Sequence, residues 1–236
     1  MSTPSRLDEL MREGEEALDA GEFDAALERF EAVLAGDPEH WGAALDRAET
    51  LHLLWRTREA LRAVTALRPP EDEEDDADRA DLEARIREVT GDFGTADGLF
   101  TEAHRLDPEH FPEPVRMNTE DFRAVLDEVL ASLPEPIRNA VEEVPVVVQP
   151  KPTPAMAEYA PHITPEILGL FVGTSLGDKV SAGSGYADVV LLFQKNLEHA
   201  GTTAEEVAEE IRITLLHEYG HYLGFDEDAI EDLGLA

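Results

Sequence analysis

A recurring series of small and bulky residues constrains this chain more than any other feature. Gly21, Phe23, Ala26, Phe30, Val33 and Pro38 recur at the same spacing as Gly91, Phe93, Ala96, Phe100, Ala103 and Pro108. Gly14 and Ala17 extend the first copy at helical spacing, and Asp37-Pro38-Glu39-His40 returns unchanged as Asp107-Pro108-Glu109-His110. A weaker copy lies between, with Ala60, Val64, Leu67 and Pro70 in the corresponding places, so the unit is about 34 residues long. Apolar positions at helical spacing, broken by glycine at a turn and by proline at a stop, predict pairs of helices stacked in series. Such units bury their apolar faces only against neighbours.

This series resembles the tetratricopeptide (TPR) repeat over roughly residues 7 to 110, in about three units. The second unit departs from the glycine positions and carries Trp41 and Trp55. The resemblance implies a concave face that binds a protein partner or peptide; the plainer expectation is a short helical bundle. The acidic run from Glu71 to Asp78 reads as a solvated loop or a frayed helix start. His40 and His110 follow acidic turns and read as exposed, and His52 and His104 sit singly in helical patterns. No catalytic constellation is visible in this half.

Phe111-Pro112-Glu113-Pro114 ends the repeats, because prolines so close cannot continue a helix. An amphipathic helix follows, capped by Asn118 or Thr119, apolar at Phe122, Val125, Leu126, Val129, Leu130 and Leu133, and closed by Pro134. Val144 to Gln149 reads as a short edge strand, bounded by prolines. A Gly/Pro-rich stretch holds Leu168-Gly169-Leu170-Phe171, and Asp188 to Phe193 reads as a buried strand. Thr202 and Thr203 with Glu205 and Glu206 form a capping arrangement that opens a long final helix. The expected fold class is α+β: an all-α repeat array over residues 1–114, then a small α+β domain over 115–236.

Within that final helix stands His217-Glu218-Tyr219-Gly220-His221. Histidines at i and i+4 share one helix face, with Cβ atoms about 6 Å apart, so their imidazoles can converge on one zinc ion. Glu218 is rotated by about 100° from His217. It stands beside a metal rather than on it, placed to act as general base towards a zinc-activated water. Residue frequencies give such a motif by chance in roughly 3% of chains of this composition, so the motif outweighs a pair of exposed helix histidines. A third ligand is needed to complete a catalytic site. Gly224 ends the helix and lets the chain turn back, and the acids beyond it are Asp226, Glu227 and Asp228. In the metzincin spacing the third-ligand position is Glu227. Asp226 and Asp228 are the alternatives, with Asp226 also suited to cap a last short helix.

Residues from about 118 to the end resemble the minimal zincin-like metallopeptidases. The matching features are the leading helix with Leu133-Pro134, the Val146-Val147-Val148 strand, the Leu168 to Phe171 stretch, the strand ending Leu192-Phe193, and the terminal HExxHxxGxxE segment. The resemblance implies an active-site helix packed under a small sheet. It carries metal ligands onto His217, His221 and Glu227, and the base onto Glu218. It also suggests a donor for a developing oxyanion, for which Tyr186, Tyr219, Tyr222 and His199 are candidates, and a peptide lane along residues 188 to 193. His162, after a proline, reads as a loop residue.

Composition narrows the function classes. The chain has no cysteine, so a metal must be held by histidine and carboxylate, and no oxidising compartment is required. No apolar run is long enough to span a bilayer, and the first residues lack the apolar core of a secretory signal; a cytoplasmic location is expected. A net charge of -34, with 53 acidic against 19 basic residues, repels phosphate backbones and argues against nucleic acid. It fits either adaptation to high salt or a solubility requirement, or selection for a basic partner or a cationic peptide substrate. The expected function is a zinc metallopeptidase whose repeats recruit substrate or partner; the alternative is a repeat-based interaction protein whose zincin domain binds metal and turns over little.

Overall fold

The computed structural model describes residues 6–68, 70, 72–160, 162–175 and 188–232, with Glu227, Glu231 and Asp232 described by backbone alone. By its contacts the chain divides into two compact units: residues 1–113 with 153–165, and residues 114–152 with 166–236.

The first unit is built from three helical hairpins. They are α1 (Arg6–Asp19) with α2 (Phe23–Gly36), α3 (Trp41–Leu53) with α4 (Thr57–Ala66), and α5 (Glu73–Thr90) with α6 (Phe93–Leu106). The recurring residues are its core: Ala26, Phe30, Val33, Ala60, Val64, Ala96, Phe100 and Ala103 are all buried. Gly14 is needed where α1 meets α2, since a Cβ there would stand 2.6 Å from the Phe30 ring. From Asp72 onwards the acidic run is the cap and start of α5 rather than a loop, and Glu71 lies outside the described residues. Asp72 accepts from the Glu74 N–H, and Glu73, Glu74, Asp75 and Asp76 fill the first turn, where the helix dipole favours anions.

Each hairpin turns through one left-handed residue, two positions before the second helix. That residue is Gly21 (φ 72°) in the first hairpin, Gly91 (φ 80°) in the third and Trp55 (φ 60°) in the second. A bulky residue in this region costs about 1–2 kcal/mol. The Trp55 indole N–H donates to the Ile163 carbonyl at 2.9 Å, so the residue that replaces glycine also holds the 153–165 segment, which carries the short helix α9 (Pro154–Ala157). His40 caps α3 by accepting from the Ala43 N–H, His110 is exposed and paired with Asp107, and His52 is fully buried.

Among the described residues the second unit comprises α7 (Thr119–Ser132), α8 (Glu135–Ala140), strands β1 (Val146–Gln149), β2 (Gly169–Val172) and β3 (Val189–Phe193), then α10 (Gln194–His199), α11 (Ala204–Leu223) and α12 (Glu227–Asp232). The strands form one sheet in the order β1-β3-β2. β1 runs parallel to β3, with Val147 opposite Leu191, and β2 runs antiparallel, with Leu170 opposite Leu191. β1 is an edge, as its flanking prolines predict. The 188–193 segment is the central strand, so the expected peptide lane there is corrected: both of its edges already pair with neighbouring strands.

Two apolar stripes close the core. Phe122, Leu126, Val129 and Leu133 of the α7 region meet Val207, Ile211, Leu215, Tyr219 and Tyr222 of α11, with Val190 and Leu192 of β3 completing the cluster. Caps fix the helix starts: Asn118 accepts from the Glu120 and Asp121 N–H groups, and Thr203 from Glu206. The fully buried Glu198 ties the entry of this unit to α10, accepting from the Met117 N–H, Gln194, Lys195 and Arg116. A buried carboxylate so fully partnered is structural.

Candidate metal and catalytic site

With one stripe of α11 committed to the core, His217 and His221 lie on the half-buried remainder of the helix surface. Their Nε2 atoms stand 3.0 Å apart, and the ring planes cross at 77° with centroids 4.7 Å apart. Two nitrogens bound to one tetrahedral zinc at about 2.0–2.1 Å stand about 3.3 Å from each other. The pair therefore fits such an ion with little movement, and neutral imidazole nitrogens are the donors zinc takes.

Glu218 is buried and turned towards the sheet. Its Oε2 accepts the Phe171 N–H of β2 at 2.6 Å, a charge-assisted bond that fixes the carboxylate. Because Leu168 already bonds towards β3 through Phe193, strand alternation points the Phe171 N–H away from β3, on the outer edge of the sheet. Gly169 makes the approach close enough. A Cβ there would meet Thr214 Cγ2 at 2.6 Å and the Glu218 Cγ and Oε1 at 3.1 and 3.2 Å. These two backbone contributions were not read from the sequence as parts of the site; a glycine inside an apolar strand is the signal that marks them.

The end of α11 is equally specified. Gly224 takes φ 95°, its N–H reaching the His221 carbonyl while the Phe225 N–H reaches that of Gly220; together these form a Schellman cap. Gly220 leaves room for α12: a Cβ there would stand 3.1 Å from Ile230, which is fully buried. Asp226 caps that last helix, its Oδ1 accepting the Ala229 N–H at 3.0 Å, and Asp228 is exposed. Among the described residues no group of three His, Asp or Glu forms a metal site. The Glu227 side chain lies outside the described residues.

Of the oxyanion candidates, Tyr219 points into the core beside Leu130, Leu133 and Val144, where burial pushes its phenol up to about 12. Tyr222 is buried with its ring edge-on to Phe171, centroids 5.8 Å apart. His199 closes α10, and Tyr186 lies outside the described residues. His162 is exposed.

Comparison with known families bears on both units. Residues 141–235 match the family model of the zincin-like metallopeptidases. Residues 17–86 match that of the tetratricopeptide repeat. The chain carries a zincin-like domain behind a tetratricopeptide repeat region. No curated protein matches it. The zincin-like match spans both histidines and Glu218, and it covers β1, β2, β3 and α11. Among the described residues no helix is long and apolar enough to cross a membrane.

Proposed function

We propose that the zincin-like domain is a zinc-dependent peptidase in which His217, His221 and Glu227 hold the metal and Glu218 is the general base. The observation that carries this reading is the juxtaposition of the two Nε2 atoms, 3.0 Å apart, with a neighbouring carboxylate clamped by an edge-strand N–H. A bound zinc would supply Lewis-acid polarisation of the scissile carbonyl and a water of lowered pKa. Glu218 accepts a proton and returns it to the leaving amine; the Phe171 N–H holds its Oε2 and so fixes the direction in which the carboxylate works. Glu227 is supported as third ligand by its neighbours. Asp226 is committed to a cap, and the packing of Ile230 on Gly220 keeps the start of α12 beside the end of α11.

The repeat region supports recruitment of a substrate or partner protein, and the acidic surface disfavours nucleic acid. A cytoplasmic protein is consistent with the lack of cysteine. Zinc titration by calorimetry tests the ligand set. One zinc per chain is expected, with affinity reduced by orders of magnitude in His217→Ala, His221→Ala and Glu227→Ala. Unchanged affinity in Glu227→Ala would contradict the third ligand. Tight zinc without hydrolysis would favour a metal-binding interaction protein built on the same repeats.

A further inference from the structure

Resting on the peptidase reading, we infer that the site takes a peptide with arginine or lysine next to the scissile bond, and that Glu210 selects it. A cavity of about 340 Å³ opens directly on His217 and Glu218. Its walls are apolar or small: Ile167, Leu168 and Gly169 on one side, Ile213 and Thr214 on the other, with Glu210 among the lining residues. The helix spacing sets its length. Glu210 stands seven residues before His217 on α11, two turns and about 10 Å away on the same face.

An apolar trough that begins at the reaction centre and ends on a carboxylate suits a side chain with an aliphatic stem and a cationic head. The acids beside Glu210 are otherwise engaged. Glu206 accepts from the Thr202 N–H and hydroxyl, and Glu209 pairs with Arg212. Glu210 makes no ion pair or hydrogen bond among the described residues, and it is half-buried. A partly desolvated carboxylate facing a cavity gains most from a cation that arrives with the ligand. The same charge rejects acidic side chains at that position, which is how a pocket of this kind discriminates.

The test uses the full, zinc-loaded chain and short peptides identical except at one position. That position carries arginine, lysine, leucine, glutamate or citrulline, the uncharged counterpart of arginine. Cleavage is mapped by mass spectrometry, and binding of the same peptides, fluorescein-labelled, is read by anisotropy in a Glu218→Ala background. The expected result is cleavage beside arginine or lysine, preferred about tenfold over citrulline. Glu210→Gln should abolish that preference, and Glu210→Lys should shift it towards glutamate. The net charge of -34 draws in any cationic peptide, so dependence on Glu210 is the deciding readout. Cleavage without preference for a cation, or a preference that survives Glu210→Gln, overturns the inference and leaves the peptidase reading standing. If no peptide is cleaved, that reading fails, and anisotropy decides the pocket. About tenfold tighter binding of the arginine peptide, lost in Glu210→Gln, upholds it; equal binding overturns it.

Discussion

At the scale of single residues, the site depends on what fixes each side chain. Glu218 is held through one oxygen by the Phe171 N–H. Glu218→Gln keeps an amide oxygen able to accept that bond but removes the carboxylate proposed as the base. The expected outcome is unchanged zinc stoichiometry and melting temperature, with hydrolysis reduced about 10²–10⁴-fold. A large fall in melting temperature would place Glu218 in the fold rather than in the chemistry. A second residue-scale consequence lies in the repeats. Burial, then the nearby carboxylates Glu49, Glu15 and Asp78, pushes the Asp46 carboxyl up to about 7. Its folded value is above its unfolded value, so its contribution to stability is complete below about pH 4 and lost as pH rises through about 7. Asp46→Asn should therefore stabilise the protein at pH 8 by about 2 kcal/mol, and the gain should vanish below about pH 4. Denaturant melts of both proteins across pH check it, and a gain that grows on acidification would contradict it.

Among the elements, close approach does the positioning. β2 lies on α11 because Gly169 has no Cβ to meet Thr214. Gly169→Ala should cost about 1–3 kcal/mol and also lower activity by displacing Glu218, so activity should fall further than the loss of folded protein explains. Gly220→Ala presses on Ile230 and should weaken zinc binding through the start of α12, measured by calorimetry, with little change in helix content by circular dichroism. The helices and the motif were legible in the sequence because caps, prolines and i, i+4 histidines are local signals. Asn118, Thr203 and Gly224 act where their residue types predict. The strand order was not legible. Nothing local in Val189 to Phe193 says that the strand is central, and a buried run reads the same with one paired edge or two. The turn through Trp55 was hidden for a related reason: its left-handed backbone is held by a partner more than a hundred residues away, beyond the reach of any window.

For the whole molecule, charge is the dominant property. With 53 acidic and 19 basic residues, the compact state carries strong self-repulsion. Salt shortens the Debye length from about 30 Å at 0.01 M to about 3 Å at 1 M, so the melting temperature should rise over that range; a fall would mean that the surface ion pairs outweigh the repulsion. Composition had announced this, and the repeat period had announced the array. The candidate site was legible as far as two histidines and a glutamate at helical spacing, while the backbone that β2 brings to Glu218 required the fold. The account rests above all on Glu218 acting as a base beside a metal held by His217 and His221. The most direct test is peptide hydrolysis by wild type and Glu218→Ala at equal zinc content, one zinc per chain in each. The account predicts cleavage by the wild type alone; equal cleavage by both proteins, or none by either, would contradict it.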